Sequence, residues 1–424
     1  MLTINYIKEN QDKLVDLLKI KNFDAEELVK DIIMLDTERR SQKAESDNKL
    51  AEMNSLSKQI GMLFKEGKQE EANKIKQQTS ELKENIKQTQ DSLNKIEEEL
   101  NEKMVLIPNI PNEIVPAGKS DEDNKIIKTG KFQLNADTNK LPHWELAKKY
   151  DIIDFDLGVK ITGAGFPVYK GKGARLQRGL INFFLDEASK AGYNEIIPPL
   201  MVNEASGFGT GQLPDKEGQM YHVTEDNLYL IPTAEVPVTN IFRDVILSSE
   251  DFPIKSTAYT PCFRREAGSY GKDVRGLNRL HQFDKVEIVQ VQHPEKSAET
   301  LTEMVDYVET LIQKLELPYR ILLLCGGDLS FTSSLTYDFE VFSSAQDKWL
   351  EVSSISNFED YQANRLKLRY KEKGEKKTKL CHTLNGSALA LPRILAALLE
   401  NNQTEKGIKI PKALVSYVGF EYLD

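Results

Sequence analysis

The chain has 424 residues, 40% of them hydrophobic and 29% charged, with a formal charge of −10; such a length allows two or three domains with a large buried core. The acidic balance excludes a uniformly basic nucleic-acid coat, although a local basic patch can still attract phosphates. No apolar stretch approaches the ~20 residues of a membrane span, and the opening MLTINYIKENQDK lacks a basic-then-apolar secretory pattern. Three scattered cysteines, Cys262, Cys325 and Cys381, offer neither a disulfide framework nor zinc spacing, so a reducing cytoplasm is expected.

From Ala25 to Leu106 there is no proline, and glycine occurs only at Gly61 and Gly67. One series of positions runs Ile32, Leu35, Arg39, Gln42, Ser46, Lys49, Met53, Leu56, Ile60, Leu63; a second runs Ala72, Ile75, Thr79, Leu82, Ile86, Thr89, Leu93, Ile96, Leu100. Both advance by alternating steps of three and four, the period of a coiled-coil seam. With Gly67 placed for a reversal, the spacing predicts an antiparallel helical hairpin over about 27–105, inside an N-terminal unit of residues 1–110. About 35 residues per helix gives an arm of roughly 50 Å. Taken alone, the hairpin reads equally well as a dimerisation or spacer element.

IPNIPNEIVPAGKSDEDNK follows, and its prolines and charged run predict a mobile linker over 111–140. Beyond it, short apolar runs (EIIPPLMV, KVEIVQV, YRILLLC, DFEVF) read as strands and amphipathic stretches (ARLQRGLINFFLDEASKA, SAETLTEMVDYVETLIQKL) as helices. They lack regular βαβ spacing and no phosphate-loop or dinucleotide glycine motif follows a strand. The expected class is α+β, with residues 141–424 forming a mostly antiparallel sheet flanked by helices. LKLRYKEKGEKKTKL is lysine-rich and expected to be an exposed loop.

Three segments carry the chemistry. GYNEIIPPLMV is an extended run interrupted by proline, suited to a sheet edge or a subunit seam. PCFRREAGSYGKDVRGLNRLHQFDKVEIV reads as strand, glycine-rich loop and returning strand. Strand alternation would put Arg264 and Glu266 on one face, and Arg279, Phe283 and Glu287 on a common face of the return. Arginine suits bidentate binding of phosphate or carboxylate, and an aromatic ring offers a base a stacking platform. His281 falls between these residues and reads as a positioning group; His143, His222, His293 and His382 show no metal spacing. In TLNGSALALPRILAALLENNQ, small residues at Gly386, Ala388 and Ala390 would leave a flat strand face for a planar ligand, and Pro392 would open a helix with Arg393 at the junction.

In order and separation these segments resemble the three motifs of class II aminoacyl-tRNA synthetases. TAEVPVTN, RGLNRLHQFDKVE, EVSSISNFEDYQANR and TLNGSALA are similar to seryl-tRNA synthetase sequence, and the hairpin resembles that family's tRNA-binding arm; the likeness spans essentially the whole chain. The resemblance implies a homodimeric serine–tRNA ligase that forms seryl-adenylate from L-serine and ATP with Mg(2+), then charges tRNA(Ser) and also tRNA(Sec). Catalysis would rest on Arg264 and Arg393. Serine would be bound by Thr233, Ala234, Glu235, Arg264, Glu287, Asn385 and Ser387. ATP would lie against Arg264, Arg265, Glu266, Phe283, Glu351, Val352, Ser353, Ser354 and Arg393, with the metal on Glu351 and Ser354, and the loop from Ala267 to Asn278 would close over ATP. Ala388 and Pro392 stand where many members of that family carry glycine, and Ala388 would slightly narrow the adenine face without either change removing a functional group. Two alternatives are a class II-like paralogue that loads a carrier protein and a non-catalytic RNA-binding scaffold.

Overall fold

The computed structural model describes residues 1–131, 140–266 and 275–424, which divide into two compact units. The smaller unit comprises residues 1–19 and 23–108. Its helices are α1 (Ile4–Glu9), α2 (Gln11–Ile20), α3 (Glu26–Lys65) and α4 (Gln69–Met104). Thr3 caps α1 by accepting the amide of Tyr6 at 3.2 Å. The long helices have 40 and 36 residues, hence lengths of about 60 and 54 Å. The reversal turns at Gly67, whose φ of 77° would strain any residue with a Cβ. Cross-helix pairs fix an antiparallel register: Lys103 reaches Asp31 at 2.8 Å, and Lys49 reaches Thr89 at 2.9 Å.

Every position in the two heptad series is buried or half-buried. The apolar seam is most deeply buried toward the base, at Ile32 and Leu35 on one helix and Leu93, Ile96 and Leu100 on the other. One charge sits inside it. Asp36 is 0% exposed and meets Lys8 at 2.9 Å, Arg39 at 2.7 Å and Arg40 at 3.0 Å. Burial alone would raise its pKa; the three cations outweigh that and lower it.

The larger unit holds residues 20–22 and 109–424. Its eight-stranded sheet uses β1 (Lys125–Thr129), β2 (Asn194–Glu195), β3 (Ile254–Phe263), β4 (Gln282–Gln292), β5 (Tyr319–Leu323), β6 (Leu335–Ser343), β7 (Lys348–Glu359) and β8 (His382–Ala390). The order is β1–β5–β6–β7–β8–β4–β3–β2, antiparallel throughout except for the β2–β3 pair. One face is covered by α6 (Gly171–Lys190), α8 (Ser297–Lys314) and α10 (Leu391–Asn401). From these come Leu180, Phe183, Met304, Leu311, Leu395 and Leu398, packed on Val286, Ile288, Phe339 and Ile355 of the sheet. Burying each such side chain stabilises the fold by about 1.5–3 kcal/mol. The remaining labelled helices are α5 (His143–Lys149), α7 (Glu235–Asn240) and α9 (Tyr361–Leu366).

Two expectations change. The segment read as a mobile linker contains β1, because KIIKT satisfies an otherwise open edge by pairing with β5; residues 132–139 lie outside the described residues. The lysine-rich segment forms two short paired strands, Arg369–Lys371 and Thr378–Leu380, with exposed residues 373–377 between them.

Candidate active site

The face of the sheet opposite α6, α8 and α10 carries the polar residues. In β4, Phe283, Lys285 and Glu287 alternate onto it, opposite Cys262, Thr260 and Ala258 of β3 and, for Glu287, opposite Ser387 of β8. Arg264 continues the same face past the end of β3; its guanidinium lies 5.3 Å from the Phe283 ring and its Nε donates to the Pro232 carbonyl at 3.4 Å.

At one end the site closes around buried charges. Glu287 is 1% exposed and Lys285 6%. Lys285 Nζ lies 2.5 Å from Glu287 Oε2 and donates to Thr233 Oγ1 at 2.9 Å. Thr233 donates to Glu287 Oε2 at 3.1 Å and accepts the amide of Glu235 at 3.2 Å, so it fixes the first turn of α7 on the sheet. Glu235 is also buried, and Gln362 of α9 donates to its Oε1 at 2.6 Å; Gln362 in turn accepts from Thr383 at 2.7 Å. Burial, then the nearby charge of Glu287, raises the Glu235 pKa to about 7. Ala234 packs with Val238, Ala258 and Val289, which holds the TAE turn against β3 and β4. Asn385 shares the face with Ser387, two residues along β8.

The other end is carried by β6 and β7. Residues three apart in a strand ordinarily face opposite ways. A bulge pairs Phe339 with Ser353 and Glu340 with Glu351, and so returns Glu351 to the face of Ser354. Ser354 pairs with Asp338 and its hydroxyl bonds that carboxylate; Asp338 Oδ1 is buried without a partner among the described residues. Burial, and then the charge of Glu351, pushes Asp338 well above the usual carboxylate range. Arg393 donates from Nη1 to the Glu351 carbonyl at 2.7 Å and from Nε to the Asn278 carbonyl at 3.0 Å. A carboxylate, a hydroxyl and an orphaned carboxylate oxygen are hard donors, which suits Mg(2+). The described residues contain no group of three or more His, Cys, Asp or Glu side chains able to hold a metal by themselves, so phosphate oxygens would have to complete the shell.

Several residues read from sequence sit elsewhere. Val352 is in the hydrophobic core, and Ser353 donates to the Ser387 carbonyl at 2.5 Å, so neither side chain faces the site. Gly386 pairs with Ile288 and Ile355, and a Cβ there would meet the Ile355 side chain at 3.0 Å: this glycine serves core packing rather than a ligand face. Ala388 is likewise part of the hydrophobic core, so its methyl lies against the core rather than on an open strand face. Glu266 lies beyond β3 with φ of 47° and pairs with Arg279 at 3.4 Å, so strand alternation does not reach either residue. Arg265 is exposed, and its amide donates to the Gln219 carbonyl. His281 stacks on Phe166 and bonds the Arg264 carbonyl at 3.0 Å, a positioning role. Most of the glycine-rich loop, 267–274, lies outside the described residues. Sequence reasoning passed over Lys285, Gln362 and Asp338; for Lys285 the signal was present, since it shares parity with Phe283 and Glu287.

Comparison with known proteins identifies the family. Residues 1–111 match the seryl-tRNA synthetase N-terminal domain, and residues 221–402 the class II tRNA synthetase core domain (G, H, P, S and T). The serine–tRNA ligase of Salinibacter ruber is 48% identical over 421 residues, covering 99% of this chain and 98% of the relative. The crystal structure of seryl-tRNA synthetase from Pyrococcus horikoshii complexed with ATP superposes with a TM-score of 0.89 at 33% identity, covering 99% of both chains. That of the cytoplasmic serine–tRNA ligase from Naegleria fowleri in complex with AMP gives 0.86 at 25% identity, covering 100% of this chain and 99% of the other.

Proposed function

The chain belongs to the seryl-tRNA synthetase family and is a serine–tRNA ligase, and from that premise we propose how its residues divide the reaction. The observation that carries the proposal is the buried set Thr233, Lys285, Glu287 and Glu235 beside Arg264 on one open face. Serine's ammonium pairs with Glu235, its hydroxyl donates to Glu287, with Ser387 and Asn385 alongside, and its carboxylate meets Arg264. Adenine lies between Phe283 and Arg393, and Glu266 meets its amino group. Glu351 and Ser354, joined by Asp338, would hold Mg(2+), which would supply neutralisation of phosphate charge.

No protein nucleophile is required. A serine carboxylate oxygen attacks the α-phosphorus, the bond to the bridging oxygen breaks, and pyrophosphate leaves. Arg264 and Arg393 supply positioning and charge stabilisation. The terminal ribose hydroxyl of tRNA then attacks the seryl carbonyl and AMP leaves. The hairpin within residues 1–110 grips tRNA(Ser), and tRNA(Sec) through the same arm, while residues 141–424 carry the chemistry. Two chains pair across the edge near β2, where Ile197 is 89% exposed beside half-exposed Leu200 and Met201. The enzyme works in the cytoplasm; no helix among the described residues is long and apolar enough to cross a membrane.

The test is pyrophosphate exchange with serine and ATP titrated separately. Glu287→Gln keeps size and removes charge, and is expected to lower kcat/KM for serine at least about tenfold, roughly 1.4 kcal/mol. ATP KM should hold. A defect confined to ATP would remove Glu287 from the serine pocket.

A further inference from the structure

The root of the glycine-rich loop is held by a histidine outside the site. His143, the first residue of α5, is 0% exposed, as is Glu400 near the end of α10. The amide of Leu277 donates to His143 Nε2 at 2.8 Å, so that nitrogen presents a lone pair. The proton is therefore on Nδ1, which lies 2.7 Å from Glu400 Oε1. The backbone amide of His143 donates to the same oxygen at 3.0 Å, and Gln346 adds a third bond at 3.0 Å. Ser343 donates to the other oxygen. A buried carboxylate accepting four donors has its hydrogen-bonding needs met, and the ring it holds is fixed in tautomer and direction.

The neighbouring contacts use that fixed ring. Gly276 has φ of 66°, and a Cβ there would fall 2.2 Å from His143 Nε2, so the loop root runs directly against the imidazole. Arg275 lies over the adjacent Trp144 ring at 4.6 Å. Gln346 accepts the side-chain amide of Asn278 at 2.8 Å, and the Asn278 carbonyl accepts Arg393 Nε at 3.0 Å. A continuous chain of bonds thus runs from Glu400 through Gln346 and Asn278 to Arg393, while the His143 branch pins Leu277 next door.

We propose that His143, oriented by Glu400, is a positioning residue that sets the loop root at 275–278, and that Glu400, through Gln346 and Asn278, aims the Arg393 guanidinium at ATP. The proposal rests on the reading of Arg393 as an ATP ligand. None of His143, Glu400 or Gln346 touches substrate in it; they act by removing alternative positions for Arg393 and for residues 275–278, and small misplacements of such groups are costly in rate.

The test uses the full-length dimer and three variants. Gln346→Leu cuts the branch to Asn278 and leaves the His143–Glu400 pair; His143→Gln removes the imidazole; Glu400→Gln can still accept from Nδ1 and serves as the conservative variant. In serine-dependent pyrophosphate exchange, Gln346→Leu and His143→Gln should each raise KM for ATP about tenfold, with serine KM within about twofold and Glu400→Gln within about threefold of wild type. Hydrogen exchange of the peptide carrying the Leu277 amide should quicken in His143→Gln but not in Gln346→Leu, and this readout does not depend on activity. Absence of serine-dependent exchange in wild type would instead count against the functional reading. Lowered thermal stability with ATP kinetics unchanged in both variants would overturn the proposal, as would equal shifts in the two KM values.

Discussion

Serine binding should be coupled to loss of a proton from Glu235. The carboxyl is buried and its pKa is raised from 4.5 to about 7, first by burial and then by the charge of Glu287. Since the folded value exceeds the unfolded one, the folded chain holds an extra proton between those values. The stability that Glu235 contributes is present in full below pH 4.5 and lost as pH rises through 7. At about 1.4 kcal/mol per unit, the loss amounts to roughly 3 kcal/mol. A bound ammonium favours the ionised form, so serine must displace that proton below neutrality. At pH 6 only about a tenth of the free enzyme is ionised here, and apparent serine affinity should fall about tenfold for each unit below pH 7. The assay is KM for serine in pyrophosphate exchange from pH 6 to 8 at saturating ATP, compared with Glu235→Gln, which stays neutral. The wild type should show the slope and the variant a flat, weak response. Denaturant unfolding of both without serine should show the wild type losing stability relative to Glu235→Gln between about pH 4.5 and 7. A flat wild-type profile, or the same slope in Glu235→Gln, would refute the coupling.

Lys285→Met should cost about 3–5 kcal/mol, because it leaves a buried carboxylate with one partner removed; chemical denaturation would read this, and serine KM should rise with ATP KM little changed. Removing the hairpin tip, residues 46–85, should leave serine activation within about twofold and reduce tRNA charging by about a hundredfold or more; an equal fall in both would contradict the division of labour. A chain lacking residues 1–110 should remain a dimer by light scattering if the sheet edge forms the interface, whereas a monomer would assign dimerisation to the arm.

What could be read in advance followed from period and parity. The heptad steps from Ile32 to Leu63 and from Ala72 to Leu100 identified each side's seam, because a coiled coil leaves few ways to bury alternate three- and four-residue steps. Even spacing in β4 put Phe283 and Glu287 on one face for a similar reason. Parity failed where the chain leaves the ladder. The left-handed turn at Glu266 ends it on one side, and the bulges in β7 and β8 shift Glu351 onto the site and Val352 and Ala388 away from it. No single-residue property in EVSS or SALA announces a bulge; the register of the neighbouring strand does. Lys285 escaped notice because lysines are almost always solvated, and only the convergence of Glu287 and Thr233, 54 positions apart in sequence, makes burial tolerable here. Asp338, inside the apolar run DFEVF, was hidden in the same way.

The placement of Lys285 also changes what Thr233 can do. A hydroxyl has one proton and two lone pairs. Thr233 donates that proton to Glu287 Oε2 and accepts from Lys285 Nζ and from the Glu235 amide, so its capacity is filled before any substrate arrives. On the proposed reading, its side chain would brace Glu287 in the serine pocket. Oε2 of Glu287 is occupied twice, by Lys285 and Thr233, while Oε1 accepts no hydrogen bond from the described residues. One acceptor is thus left, on a carboxylate that cannot rotate without breaking two buried bonds. A substrate with a hydroxyl satisfies it; alanine or glycine would exclude water from Oε1 and return nothing, the penalty by which polar sites reject smaller analogues far more strongly than a missing methylene could. If Glu287 takes the serine hydroxyl as proposed, selection of so small an amino acid would depend less on contacts made to serine than on the bonds that fix Glu287 beforehand.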